Sequence, residues 1–305
     1  MSTRFVKLLH FRLASLVAGA LGGLAALTFV PRTALAQNFG DLPSGSNARV
    51  ADIQGFGSQT PYWTVGHKRW FAAALFDVGG IFAKPEIHLG YGKPYYAWGG
   101  IEAWTKVTLD GVSFFAGPRL SIPHFQLRAG GRTFHSTNSH WLVPRQTYSR
   151  LQLDQVAPPL SHYGSLEAEM TVDAPLLGGN VALLASVHGL LGVDGNYNVF
   201  EDLLHVIVDP PWVVRTRLSY LRSFGRFENM ALGAAGEVIY VPNRTATTAR
   251  IGPVVTVSLT HHLQAVAAAM IVIAGRDSLG LSGSDIGQIG LRYRWATGDL
   301  WPEFP

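Results

Sequence analysis

The stretch YGSLEAEMTVDAPL, Tyr163 to Leu176, sets Glu167, Glu169 and Asp173 at every second or fourth position, with Leu166, Ala168, Met170 and Val172 between them. A period of two belongs to an extended strand, so the acids share one face and the aliphatic residues share the other. Only 14% of the chain is charged, so three carboxylates on one short face need an explanation. A soluble sheet turns its aliphatic face to a core; a transmembrane barrel turns it to lipid and the acids to the lumen.

The same split recurs along the chain. In Ala246 to Thr260, Thr248, Arg250, Thr256 and Ser258 alternate with Ile251, Val255, Val257 and Leu259. In Trp212 to Phe224, Arg215 and Arg217 oppose Val214 and Leu218, and in Asp285 to Trp295, Arg292 and Arg294 oppose Leu291 and Tyr293. Glu86, Glu102 with Lys106, Arg119, and Arg128 with Arg132 take the polar faces of four further segments. Each segment is longer than an ordinary soluble strand and suits a tilted membrane strand.

Residues 1–36 have the layout of a cleaved signal peptide: Arg4, Lys7 and Arg12, then the apolar run Leu13 to Val30, then Ala34-Leu35-Ala36 before Gln37. Cleavage removes four of the 24 basic residues and none of the 20 acidic ones, which leaves a formally neutral mature chain. Neutrality gives no support for nucleic-acid binding. The absence of cysteine excludes disulfides and thiolate metal sites. Residues 37–67 read as a flexible lead-in, 68–295 as one domain and 296–305 as a tail; no second long apolar run offers a helical membrane span.

With its signal, alternating segments, short turns and aromatic final strand, the chain resembles a bacterial outer-membrane β-barrel protein. The resemblance implies an all-β, antiparallel transmembrane barrel of about twelve strands, inserted by the barrel machinery and embedded in outer-membrane lipid. Aromatic residues near strand ends, Tyr95, Tyr96, Trp98, Trp212, Tyr240, Tyr293 and Trp295, are expected to form interface girdles. The class commonly ends on its last strand, whereas here Trp295 is followed by ten more residues. Pro253 lies inside an expected strand and implies a bulge. Arg69 to Gly80 fits the strand count poorly: it extends the first strand, adds another, or packs inside as a plug. Asn198 to Pro211 carries helix signals, with Asn198 as N-cap and Glu201 three residues on, and predicts one short helix in an outer loop.

The expected lumen lining is therefore Glu86, Glu102, Lys106, Arg119, Arg128, Arg132, Glu167, Glu169, Asp173, Arg215, Arg217, Arg250, Arg292 and Arg294. Two uses of such a lining stay open: a channel for small hydrophilic solutes, or a salt-bridged filling of a structural or surface-binding barrel. A minor third use is lipid hydrolysis. The run FHSTNSH, Phe134 to His140, resembles the His-x-Ser-Asn element of outer-membrane phospholipases and lipid A deacylases, and names His135, Ser136, Ser139 and His140 as candidates. It departs from that element because Ser136 directly follows His135, so the two face opposite ways on a strand, and Thr137 stands where the enzymes have serine. The turn count places this run at the periplasmic end, as a solvated loop. Adjacent His261 and His262 lack the spacing of a metal pair, and neither metal nor cofactor is expected. Mass spectrometry of the membrane fraction should find Gln37 as the mature N-terminus; a retained Met1 would contradict the signal reading.

Overall fold

A computed structural model describes residues 49–50, 56–57, 63, 66–153, 159–224, 229–285 and 289–298. The signal segment with its cleavage site, most of the lead-in, and the tail beyond residue 298 lie outside the described residues.

The long alternating segments become twelve antiparallel staves of one closed barrel. They are β1 (Arg69–Gly79), β2 (Phe82–Lys93), β3 (Ala97–Thr108), β4 (Gly111–Ile122), β5 (Phe125–His140), β6 (Leu160–Leu176) and β7 (Gly179–Leu191), then β8 (Trp212–Phe224), β9 (Met230–Val241) and β10 (Ala246–Ser258). The interrupted stave β11 (Leu263–Ala268 with Ile271–Ala274) and β12 (Gly290–Ala296) complete the set. Each stave pairs with its sequence neighbour, and β12 closes the ring on β1 from Gly290↔Gly79 to Ala296↔Ala73. Closure leaves no sheet edge, which hydrocarbon would penalise because nothing there can satisfy a free backbone N–H.

The segment Arg69 to Gly80, ambiguous in sequence, is thus the first stave, paired on both sides. Pro253 causes an interruption rather than a simple bulge in its own strand. It stays in register opposite Ala234, but on its other side β11 breaks at Ala269–Met270, where a residue with no N–H leaves nothing to accept.

The two faces differ in character over most of the barrel's height. Ile87, Leu89, Ile101, Leu166, Leu218, Leu232 and Ile251 are exposed around the outside, while charged side chains from the same strands are buried within. An apolar exterior around a charged interior inverts a soluble protein and is the arrangement of an outer-membrane barrel. Trp70, Tyr91, Tyr293 and Trp295 lie outward near one rim, with Trp212 and Tyr240 outward near the other. Two expected girdle residues point elsewhere. Trp98 is buried against Phe71 and His88, and the Tyr95 hydroxyl donates to the carbonyls of Ala74 and Trp295, so both close the inside of the barrel.

Strand alternation assigns each connection to a rim. The three long ones, 141–159, 192–211 and 275–289, share one rim, hereafter the loop end; the chain enters β1 and leaves β12 at the other, the terminal end. One two-residue join at the terminal end, Leu177-Gly178, uses left-handed backbone at both positions, φ 50° and 74°, as a type I′ hairpin turn requires. The Phe134–His140 run lies at the loop end, beside the Asp110-Gly111 join, which corrects the periplasmic placement expected for the run from the turn count. The run belongs to β5 itself rather than to a loop.

The expected helix over Asn198 to Pro211 is a β-hairpin instead, Val199–Glu201 against Val206–Val208. Its arms are buried on both faces, so β-branched Val199, Val206, Ile207 and Val208 favour extension over the capping signals. Glu201, the expected capping acid, does accept a nearby backbone hydrogen bond, from Leu204 at 2.8 Å, but it caps a turn. A short α-helix does occur in an outer loop, at Arg150–Leu153 in the first long connection.

Leu218, exposed at the middle of β8, reports on the outer environment. Leu218→Arg should cost about 2 to 4 kcal/mol in urea unfolding from lipid vesicles, as a midplane charge does. A cost within about 0.5 kcal/mol, the scatter of ordinary surface changes, would contradict the lipid-facing assignment.

Candidate functional site

The inward charges are arranged as an alternating belt. Lys84 on β2 pairs with Glu86 at 3.0 Å, and Glu86 also meets His88 and, at 3.7 Å, Arg119 on β4. Arg119 joins Glu102 of β3 at 2.6 Å, and Glu102 reaches Arg128 of β5 at 3.5 Å. Arg128 bonds Glu169 of β6 at 3.2 Å, Glu169 bonds Arg215 of β8 at 3.1 Å, and Arg215 lies 3.9 Å from Glu237 of β9. Glu237 then gathers Arg217 at 2.5 Å and Arg250 of β10 at 3.0 Å. Two sites stand beside this chain. Arg292 grips Asp77 with two bonds, 2.6 and 2.7 Å, across the β12–β1 closure, and Arg294 donates to Gln264 at 3.2 Å.

Alternation follows from the register. Antiparallel neighbours place inward residues of adjacent strands directly opposite, as with Arg128↔Glu169 and Glu237↔Arg250, so each carboxylate meets a guanidinium on one or both sides. Burial makes such pairing compulsory, because a lone ion out of water is far more costly than a paired one. Glu102 is 0% exposed and Arg217 3%, so bulk water screens these contacts little.

The remaining expected residues fall on the same inner face. Arg132 bonds Glu167 at 2.5 Å, and Glu167 also takes a bond from Ser165 and lies 3.3 Å from His188. Asp173, near the terminal end, meets His124 at 2.7 Å and Asn180 at 3.2 Å. Lys106, nearer the loop end, faces Asp202 at 3.6 Å. Glu86, His88 and Glu102 form a three-residue group of metal-ligand type, but Lys84, Arg119 and Arg128 already occupy its carboxylates.

Sequence reasoning missed the hairpin that folds inward from the second long connection. Glu201 is bound by Arg132 and by the Tyr163 hydroxyl, Asp202 faces Lys106, and the carbonyls of Leu204 and His205 accept from Arg250 at 2.7 and 2.9 Å. Staves β3, β5, β6 and β10 thereby hold it across the lumen. Its backbone pairs only with itself among the described residues, apart from one bridge, Leu142↔Asn198, between flanking loops.

Arg244 organises the loops above. It holds Asp277 with bonds of 2.7 and 2.8 Å, donates to the carbonyls of Ile207 and Gln146, and lies over the Tyr148 ring. One guanidinium therefore joins all three long connections. At the terminal end, Trp63 is buried against Tyr95 and His262, and its indole donates to the carbonyl of His261 at 3.2 Å. The two histidines serve this closure, and the His262 ring contacts the carbonyl of Arg294.

A cavity of about 600 Å³ lies at the loop end, lined by the hairpin, the loops and the wall staves β1, β2, β3 and β12. Ser139 and His140 line it, whereas His135 points outward and Ser136 spends its hydroxyl on the turn around Asp110 and Ser139. The four hydrolase candidates are therefore not brought together as a catalytic group.

No protein-family model and no curated protein matches the chain. Among solved structures, the NanC porin is 11% identical over 75% of this chain and 98% of that one, with a TM-score of 0.33. The KdgM porin is 7% identical over 74% and 96%, with a TM-score of 0.34, and Omp33 of Acinetobacter baumannii is 10% identical over 75% and 99%, also at 0.34. The barrel assignment rests on the strand pairing and the faces described above, not on these scores.

Glu237 tests the belt, since three arginines surround it. Glu237→Gln should lower stability by about 3 to 5 kcal/mol, the range for breaking a buried pair from one side. A loss under about 1 kcal/mol would mean that water reaches the belt and screens it like a surface pair.

Proposed function

We propose that this protein is an outer-membrane channel for small hydrophilic solutes, held closed in the state described. The observation that carries this reading is the manner in which the hairpin is attached. It crosses a charged lumen and lines one side of the cavity, yet side-chain ion pairs and single carbonyl contacts hold it, rather than a ladder shared with the wall. Such contacts can be exchanged for water and salt ions one at a time, whereas a stave cannot leave a closed sheet. In this reading the both-signed lining, Glu86 through Arg294, is the solute path, and outer-membrane lipid and the insertion machinery are the chain's partners.

A filled barrel that serves as a structural or surface-binding element is the second reading, and one observation favours it. The interior charges are nearly all below a tenth exposed, and both rims are capped, by the hairpin and by Trp63. Removal of the hairpin separates the two readings. Planar-bilayer recordings of a variant with residues 200–207 replaced by a short Gly-Ser link should show conductance at least about tenfold above the parent, because a blocked lumen then becomes a wet one. Equal, negligible conductance in both proteins would assign the filled barrel.

A further inference from the structure

We propose that the cavity at the loop end is a binding site for a small zwitterion, an amino acid or dipeptide, whose ammonium sits between Asp110 and Asp202 and whose carboxylate meets Arg150. The inference rests on the reading that hydrophilic solutes enter at this mouth, but binding tests it separately from conduction. A cavity of about 600 Å³ holds a ligand of this size. Its walls carry Lys84, Lys106, Arg150 and Arg292 against Asp77, Asp110, Asp202 and Asp285, so the site selects a dipole rather than a net charge.

Most of these groups are already committed. Arg292 is closed on Asp77, Lys84 is held by Glu86, and Asp285 lies 3.9 Å from Arg217. Around Asp110 and Asp202, Lys106 is the one lysine, with His205 and Asn138 beside Asp110. Lys106 stands 3.6 Å from Asp202, beyond good hydrogen-bond length, and Asp202 Oδ2 has no donor although the residue is 3% exposed. A buried carboxylate oxygen left in that state costs free energy, and the three donors of an ammonium group relieve it. Arg150 is exposed at the rim, with no acid in ion-pair range among the described residues, and it supplies a planar fork for a carboxylate. Phe82, Phe200 and Leu203 give the ligand's side chain an apolar wall.

Asp110 adds a pH dependence. Burial and the charge of Asp202 push its carboxyl above the usual aspartate value, against His205, Asn138 and Lys106, which pull it down. A raised acid protonates first as pH falls, so the site loses one ammonium partner at a pH where exposed carboxylates remain ionised. Affinity for the zwitterion should therefore be full above that raised value and decline as pH drops through it.

Isothermal titration calorimetry of the full-length protein in detergent tests the proposal with three probes: leucine, N-acetyl-leucine and leucinamide. Leucine should give saturable heat, and each blocked form should bind at least about tenfold more weakly, the loss of one charge-assisted contact. Asp110→Asn should weaken leucine by a similar factor and abolish the acid-side decline, while Arg150→Ala should weaken leucine and leave leucinamide unchanged. Equal affinity for the three probes, no saturable heat from leucine, or competition by calcium ions alone would overturn the site. A protein that binds leucine without conducting in bilayers would keep this inference and lose the channel reading.

Discussion

A bilayer core has no water with which to satisfy a backbone N–H or C=O, so a sheet that enters it must close on itself. The rest of this structure follows from that constraint. Closure of β12 on β1 fixes an inside and an outside, and the period of two sends alternate side chains to each. The outside must then be apolar, and whatever charge the sequence carries in these strands is forced inward. Once inward and dry, every carboxylate needs a cation within reach. The belt from Lys84 to Arg250 is the result: a register of pairs set by backbone hydrogen bonding and neutralised strand by strand.

The same constraint separates what belongs to the wall from what belongs to the lumen. Wall strands are locked by shared ladders, while the hairpin of residues 199–208 is tied by side chains from four staves. Arg244 holds the long connections together above it with a single planar group. The barrel thus combines a rigid shell with a lumenal element of different attachment, and any solute path depends on the second, not the first.

The strand faces were legible because alternation survives in any strand with one apolar side. On β6, for example, Glu167, Glu169 and Asp173 are buried while Leu166 and Ala168 beside them are exposed. The hairpin was illegible for the opposite reason. Buried on both faces, NVFEDLLHVIV loses its alternation, and apolar residues at three- and four-residue spacing imitate a helix. Ser136 to His140 misled through polarity, since a strand that ends in Ser, Thr and Asn reads as a loop; the wrong rim came separately, from a turn count that took short joins for one side of the barrel although short joins occur at both rims. Arg244 gave no signal at all, because a lone arginine in a turn says nothing about the three loops that will converge on it.

The closing seam has a consequence for assembly. Asp77 and Arg292 stand 215 residues apart in the chain, and the ladder around them is made between the first stave and the last. Until β12 arrives, the growing sheet has two raw edges and a wide greasy flank, the features that drive chains to stick to one another. Its contacts are otherwise between sequence neighbours, quick to form, whereas this single seam must wait for the entire polypeptide. Completion is therefore concentrated in one late event, and a polypeptide truncated before Gly290 has no means of sealing itself, however well its earlier hairpins have paired.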